Sequence, residues 1–319
     1  MRFVTALLAC AVAAYGTGFY LAIPKNPEVR FWKNVVDRRE AEIATVRKEQ
    51  PSTPIIFFTG GSSTAFSIDP RIIETTCGLP SFNLGLPVAA GAKYLLHQAL
   101  ANCAAGDTLV ICLEPDLLTY STTERSPSAF SFAMATSAGD PGLAGGGDSF
   151  GHTTTFREYL NLSRPGPRYL ATLGLKMLSG KEYRYGPEDI KYHGRIETPI
   201  HNPDLTASGI ARATRLSSEG ESILRAFREA ADRKGVRLFY SMPWLLTKRE
   251  ALMESRSNKR SLLENIDTII PVLRDDFSGC EDDVSNFSDT GMHLSGKGSG
   301  MRSLSVAESL RIVIAGSSP

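Results

Sequence analysis

Two short segments near opposite ends of the chain carry the residue types of a nucleophilic catalyst. In the first, an apolar run at 54–59 leads into Gly60-Gly61-Ser62-Ser63. In the second, Asp289 and His293 stand four residues apart, just before the last helical pattern of the chain. A serine hydroxyl becomes an effective nucleophile when a histidine accepts its proton, and an aspartate can hold that histidine in the required tautomer. These residue types predict a triad of Ser62, His293 and Asp289, provided that the fold brings the two segments together.

Both segments also have ordinary structural interpretations. The Gly-Gly-Ser-Ser stretch is equally typical of a turn in which a hydroxyl group caps a helix. A lone histidine before a helix is more commonly a capping or core residue. A phosphate-binding loop is excluded, because no Gly-Lys-Ser/Thr follows the glycines at the required spacing, and the Gly-Lys pair at 296–297 opens the last helix instead.

The elements that must position these residues are strands alternating with helices. Short apolar runs typical of buried parallel strands stand at 54–59, 81–84, 108–113, 236–241 and 266–272. Helical patterns between them predict βαβ units and an α/β fold with a parallel sheet of about five strands. Ligands bind at the carboxyl ends of the strands in such sheets, which is where Ser62 stands.

The composition excludes two broad classes of protein. The chain has 319 residues, of which 42% are hydrophobic and 22% are charged, and its formal net charge is +1. A near-neutral chain lacks the surplus of Lys and Arg that neutralises phosphates, so nucleic acid is not expected as a partner. The hydrophobic content is enough to bury a core, which excludes wholesale disorder.

The N-terminal end predicts a membrane anchor. Residues 3–23 contain no charge and are long enough to span a bilayer, so residues 1–24 are expected to form an uncleaved transmembrane helix. A lipoprotein-like cleavage box ends at Cys10, but the apolar run before it is short. Basic residues crowd the flank that follows, and the positive-inside rule would then keep the rest of the chain in the cytoplasm. Residues 25–53 have the pattern of a charged juxtamembrane helix that serves as a stalk.

Beyond the stalk, the chain divides into three segments. Residues 54–119 and 216–319 carry the strand and helix patterns, whereas 120–215 is rich in Ser, Thr and Gly and is expected to be an insertion or lid. The cysteines lack metal-like spacing, and neither a metal nor an organic cofactor has a supporting motif. Cys77 and Cys103 each come just before a predicted strand, and a disulfide between them is one interpretation.

The segments GGSSTAFSIDP, PSFNLGL and SDTGMHLSGKG together resemble the SGNH/GDSL hydrolase superfamily. They look most similar to its membrane-anchored bacterial branch, which includes the D-alanyl-lipoteichoic acid protein and the alginate O-acetyltransferase group. The resemblance covers about 54–119 and 216–315. It implies a three-layer α/β/α sandwich, with Ser62, His293 and Asp289 as the catalytic triad. The Asp-to-His spacing is one residue longer than is common in the family.

The resemblance also implies groups around the oxyanion of the reaction. Gly61 takes the place of the usual aspartate, and Gly85 matches the glycine whose N–H helps to bind the oxyanion. Ser63 is the competing nucleophile if the alignment shifts by one residue. Glu114 stands where the family has an asparagine, and an ionised carboxylate at that place would repel an oxyanion.

Two functions follow from the resemblance. The first is a membrane-anchored serine esterase or O-acyltransferase that acts on an acylated cell-envelope polysaccharide or a similar ester, with its soluble domain on the periplasmic side of the bacterial inner membrane. The second is a non-catalytic binding or assembly component of the cell envelope with the same fold, an alternative suggested by Glu114. Neither function is expected to need a cofactor.

Overall fold

A four-stranded parallel sheet lies at the centre of the fold. In the computed structural model, the described residues are 2–22, 26–119 and 183–315, together with Gly174, Leu175 and Leu178. The strand order is β2-β1-β3-β4, and the strands are β1 (Ile56–Gly60), β2 (Ser81–Asn83), β3 (Thr108–Cys112) and β4 (Arg237–Tyr240). In the parallel register, Phe58 pairs with Asn83 on one side and with Val110 on the other. The predicted α/β class with a parallel sheet is confirmed.

Helices cover both faces of this sheet. The covering helices are α2 (Pro27–Glu49), α3 (Ser62–Ser67), α4 (Pro70–Cys77), α5 (Ala92–Asn102), α6 (Asp116–Thr119), α7 (Ser218–Lys234), α8 (Leu252–Asp267) and α9 (Gly296–Ala315). They are preceded in the chain by α1 (Arg2–Ala22), which contributes no residue to either core. Short 3-10 turns occupy Val88–Ala90, Pro187–Asp189, Tyr192–Gly194, Arg249–Ala251 and Val284–Asn286. A separate parallel pair consists of β5 (Leu245–Leu246) and β6 (Cys280–Glu281).

The alternation of side chains along the strands creates two apolar cores. Successive strand residues point to opposite faces of the sheet. Phe57 and Leu109 therefore join the main core, which contains residues of α2, α5 and α7. Phe58 and Val110 join a second core with residues of α4 and α9. Every residue of β1 and β3 is buried, which explains why the sequence shows continuous apolar runs instead of alternating ones.

The strand predicted at 266–272 is wrong. Helix α8 extends into this segment and ends at Asp267, and Val272 makes only an isolated parallel bridge to Tyr240, the last residue of β4. Pro271 has no N–H to contribute to a ladder, although its carbonyl accepts from the Tyr240 N–H at 2.9 Å. Next to β4, this single bridge stands where a fifth strand was predicted.

Helix α2 packs on the domain, which differs from the stalk predicted for 25–53. Asn26 caps the start of the helix with its side chain, and Pro27 occupies the first turn. Trp32 is almost completely buried in the main core. Arg39 is also buried, and its Nη2 donates to the Gly85 carbonyl at 2.8 Å. The segment after the predicted anchor is thus part of the fold.

Helix α1 lies within the segment predicted as a membrane anchor. Across residues 2–22, 26–119 and 183–315 and the three isolated residues, no helix is long and apolar enough to cross a membrane. The anchor expected at residues 1–24 has no support from this structure and stays a prediction.

All five cysteines lie among the described residues, and all are free thiols. Cys77 Sγ lies 3.5 Å from the Ala307 carbonyl oxygen, and Cys103 Sγ lies 3.3 Å from the Ala99 carbonyl oxygen. The disulfide considered between Cys77 and Cys103 is therefore wrong. Burial raises the pKa of Cys103 to about 12, so its thiol stays protonated at neutral pH.

The segment predicted as an insertion or lid has two parts. Most of 120–182 lies outside the described residues. The part at 183–215 joins the body of the domain, because Tyr185 and Ile196 are buried in the main core. The Ile196 N–H also donates to the Ala65 carbonyl of α3 at 2.9 Å. Residues 183–215 thus pack on the domain, and the insertion or lid predicted for 120–215 stays a prediction.

Candidate active site

Ser62 stands at a sharp turn between β1 and α3. The chain turns close to the end of β3, since a Cβ on Gly60 would lie 2.2 Å from the Cys112 carbonyl oxygen. Gly61 precedes the first helical residue in an extended conformation. The turn leaves Ser62 partly exposed, while Gly61 and Ser63 on either side are buried. Ser62 is therefore the hydroxyl of this turn that a substrate can reach.

Asp289 and His293 lie on a closed turn between β6 and α9. Phe287 and Leu294 form an isolated antiparallel bridge, and the Ser288 N–H donates to the His293 carbonyl at 2.9 Å. These contacts fold the four-residue interval back on itself. The spacing from Asp289 to His293 is one residue longer than is common in the SGNH/GDSL superfamily. The turn accommodates the extra residue, and the two side chains still meet.

The three residues predicted as a triad form a continuous hydrogen-bonded chain. Ser62 Oγ lies 2.9 Å from His293 Nε2, and His293 Nδ1 lies 2.9 Å from Asp289 Oδ1. Both distances are within reach for proton transfer. A carboxylate can only accept, so Nδ1 carries the imidazole proton and Nε2 is free to accept from the serine hydroxyl. This arrangement can activate Ser62 as a nucleophile.

The Asp289 side chain is fully buried and faces four donors. Oδ1 faces His293 and, at 3.2 Å, the Ser288 hydroxyl, whereas Oδ2 accepts from the Tyr185 hydroxyl at 2.5 Å and lies 3.1 Å from Arg184 Nη1. Burial raises the pKa of Asp289, but the hydrogen bond and charge of His293, aided by the Tyr185 and Arg184 contacts, outweigh it and hold that pKa at about 2. The carboxylate is therefore ionised at neutral pH and can stabilise an imidazolium.

The His293 ring is held by aromatic neighbours. Phe66 stacks on it with ring centroids 4.1 Å apart and planes inclined by 10°. Tyr185 presents its ring edge-on, with centroids 6.5 Å apart. Since two aromatic rings contact the imidazole, its rotation is restricted and Nε2 stays directed at Ser62.

The other predicted groups of this turn form a buried cluster around Glu114. Gly61 N–H donates to Glu114 Oε2 at 3.0 Å, and the Ser63 hydroxyl donates to Oε1 at 2.7 Å. The Ser63 N–H donates to the same oxygen at 3.3 Å. Burial raises the pKa of Glu114, against the opposing effect of these hydrogen bonds from Ser63 and Gly61. The cluster holds the backbone on either side of Ser62.

The roles predicted for Gly61, Ser63 and Glu114 at the oxyanion do not hold. Both Glu114 oxygens accept from the turn, so the carboxylate supports the nucleophile's backbone and does not occupy a donor position. Ser63 is fully buried against Glu114, which removes it as the competing nucleophile. A Cβ on Gly61 would lie 2.1 Å from Glu114 Oε1, so the glycine makes room for the carboxylate.

Gly85 is also not available as an oxyanion donor. Its N–H donates to Asn83 Oδ1 at 2.9 Å, and a Cβ at this position would lie 2.3 Å from the Ala65 amide nitrogen. Gly85 therefore allows close packing against α3. Within the described residues, the Ser62 N–H has no hydrogen-bond acceptor. Because it belongs to the nucleophilic residue itself, that N–H is a candidate donor to an oxyanion.

Sequence reasoning missed Tyr185 and Arg184, which contact Asp289. They lie within the irregular segment predicted as an insertion or lid, and nothing in their spacing relates them to a residue more than one hundred positions away. The one local signal is the alternation of Tyr183 and Tyr185, since two tyrosines in a predicted lid indicate a buried face.

No family model matches the chain, and no curated protein or solved structure matches it either. In the part of the chain that the structure describes, no group of three or more His, Cys, Asp or Glu side chains is arranged to hold a metal ion.

Proposed function

We propose that the protein is a serine esterase or O-acyltransferase of the SGNH-like type, built on a three-layer α/β/α sandwich. The observation that carries the proposal is the continuous chain from Ser62 Oγ through His293 to the buried, ionised Asp289. A hydroxyl, a histidine and an aspartate in this order constitute the arrangement that acyl transfer requires.

In the proposed reaction, Ser62 Oγ attacks the carbonyl carbon of an ester while His293 Nε2 accepts the hydroxyl proton. The resulting oxyanion accepts from the Ser62 N–H. The bond to the leaving oxygen then breaks, His293 returns the proton to that oxygen, and the alcohol departs. Water or a second hydroxyl attacks the acyl-serine with the same assistance, which releases an acid or a new ester and restores Ser62.

The proposed substrate is an acylated cell-envelope polysaccharide or a similar ester, and the proposed location is the periplasmic side of the bacterial inner membrane. The charge-free run at 3–23 and the likeness to the membrane-anchored branch support this placement. A reporter that is active only in the periplasm, fused after Pro319, tests it. Activity of the reporter supports export, and an inactive but folded reporter supports a cytoplasmic domain, as the basic flank predicts.

The experiment that tests the chemistry is covalent labelling of the full chain with a fluorophosphonate probe. Intact mass is read for the wild type, Ser62→Ala and Ser63→Ala. A single adduct that is lost only in Ser62→Ala supports the proposal. If folded wild type gives no adduct, the catalytic proposal fails and the non-catalytic binding function takes its place.

The non-catalytic alternative has lost the observation that motivated it. Glu114 suggested a site unable to hold an oxyanion, but both of its oxygens bind Gly61 and Ser63. The carboxylate therefore belongs to the support of the turn.

A further inference from the structure

The two oxygens of Asp289 serve different partners. Oδ1 accepts from His293 Nδ1 at 2.9 Å, whereas Oδ2 accepts from the Tyr185 hydroxyl at 2.5 Å. A carboxylate can rotate about its Cβ–Cγ bond, because this sp³–sp² torsion has broad minima. A strong donor fixed at Oδ2 therefore restricts which oxygen faces His293.

The Tyr185 ring is well suited to fix that donor. The residue is buried, and its ring packs against Phe66 with centroids 5.0 Å apart, against Phe31 at 5.8 Å and against Tyr183 at 5.4 Å. Arg184 also approaches Oδ2, but nearly half of its long side chain is exposed to solvent. Of these two donors, Tyr185 is the one whose position is set by packing.

We infer that Tyr185 is a positioning residue of the triad, whose phenol holds the Asp289 carboxylate so that Oδ1 stays directed at His293. This inference rests on the proposed acyl-transfer function. The Tyr185 hydroxyl lies 2.5 Å from Asp289 Oδ2 but 3.4 Å from His293 Nδ1, whose proton is directed at Asp289 Oδ1. The main action of Tyr185 on the triad therefore passes through Asp289.

The charges around Asp289 decide the direction of the expected effect. The groups that face the carboxylate are His293, Ser288, Arg184 and Tyr185. Burial, together with the hydrogen bond to Asp289, raises the pKa of Tyr185 above the usual tyrosine value, so the phenol remains a neutral donor across the accessible pH range. Removal of this donor concentrates negative charge on the side that faces the imidazole, which favours the protonated, inactive imidazole.

Tyr185→Phe is the variant that tests the inference, and Tyr183→Phe is its matched control. Tyr183 belongs to the same aromatic cluster, but its hydroxyl accepts from Trp32 Nε1 at 3.4 Å. The rate of fluorophosphonate labelling is measured for the full chain between pH 5 and pH 9. We expect Tyr185→Phe to lower the maximal rate on the order of 10-fold and to move the acidic limb to higher pH. Tyr183→Phe is expected to reproduce the wild-type profile.

A double-mutant cycle separates positioning from a general effect on the fold. In the Asp289→Asn background, Tyr185→Phe is expected to change the labelling rate by less than about 2-fold, because the charged carboxylate that Tyr185 positions is absent. An equal loss in both backgrounds would overturn the inference, even if Tyr185→Phe proved less stable. So would a Tyr185→Phe profile that superimposes on that of Tyr183→Phe. An unlabelled wild type is a different result, which overturns the proposed function and this inference with it.

Discussion

Ser62 and Ser63 are neighbours in sequence, yet they lie on opposite sides of one turn. The front of the turn consists of Ser62, which is partly exposed and hydrogen-bonded to His293. The back consists of Ser63, which is fully buried and hydrogen-bonded to Glu114. The same kind of side chain thus belongs to the candidate triad on one side and to a buried hydrogen-bonded cluster on the other. What separates the two roles is the direction of the side chain at the start of α3.

Each side also has its own carboxylate, and the pKa values of the two are shifted in opposite directions. Asp289 at the front has its pKa held at about 2, mainly because the hydrogen bond and charge of His293 outweigh burial. Glu114 at the back accepts from neutral groups of Gly61 and Ser63, and burial raises its pKa. Folding thus lowers the pKa of the carboxylate at the front and raises the pKa of the carboxylate at the back.

The largest expected effect comes from Asp289→Asn at the front. The amide would leave the His293 tautomer unfixed and the imidazolium unstabilised, so we expect the rate of fluorophosphonate labelling to fall on the order of 10³- to 10⁴-fold. The loss is measured by stopping the labelling reaction at set times and reading the labelled fraction by intact mass. A loss smaller than 10-fold would mean that the front does not act as a triad.

The second effect is expected at the back, from Glu114→Gln. The amide offers one acceptor oxygen to the three donors of Gly61 and Ser63, and its NH₂ group would confront a backbone N–H. We expect the free energy of unfolding in urea to fall by about 2 to 3 kcal/mol. Labelling of the folded protein should decrease far less than in Asp289→Asn.

Glu254→Gln is the control for this change, because Glu254 is exposed on α8. Its free energy of unfolding is expected to stay within about 0.5 kcal/mol of the wild type. If Glu114→Gln behaves like the control, Glu114 does not support the turn.

The third effect separates the two sides by their response to acid. The Asp289 pKa falls from an ordinary 3.8 to about 2 on folding, so its carboxylate stabilises the fold above pH 3.8. This contribution, about 2 kcal/mol, is lost as the pH falls from 3.8 to 2. Glu114 acts in the opposite sense, since a raised pKa favours folding when the group is protonated. Urea unfolding of the wild type and Asp289→Asn at pH 5 and pH 2.5 measures the difference. If the free energy of unfolding falls equally in the two proteins between pH 5 and pH 2.5, the ionised state of Asp289 is contradicted.

The smallest effect is expected from Ser63→Ala. The variant loses the 2.7 Å hydrogen bond to Glu114 but keeps the backbone donors of Gly61 and Ser63. A cost of about 1 kcal/mol in the free energy of unfolding is expected, with labelling within about 2-fold of the wild type. If Ser63→Ala is stable but no longer labelled, the assignment of Ser63 to a purely structural role is contradicted.

The sequence was sufficient for the features that depend on local pattern. The continuous apolar run before Gly60 predicted β1, and the residue types at Ser62, Asp289 and His293 predicted which side chains meet. Buried parallel strands and the edge where their ends converge follow from the pattern alone.

Features that depend on the direction of a side chain could not be read in this way. Glu114 stands at the end of β3 as predicted, but its carboxylate turns toward Gly61, where the missing Cβ leaves space. Tyr185 reaches Asp289 through tertiary packing that leaves no periodic signal. The strand expected at 266–272 does not form for a related reason. Its first two residues belong to helix α8, and Pro271 lacks the backbone N–H that a strand ladder needs.

The separation of Ser62 and His293 along the chain has a consequence for biosynthesis. The two residues are 231 positions apart. At translation rates of roughly 5 to 20 residues per second, about 12 to 46 s pass between the synthesis of the serine and that of the histidine. The strands β1, β2 and β3 are complete long before that moment. A ribosome-bound chain therefore completes three of the four strands of its sheet while Ser62 still lacks its histidine partner.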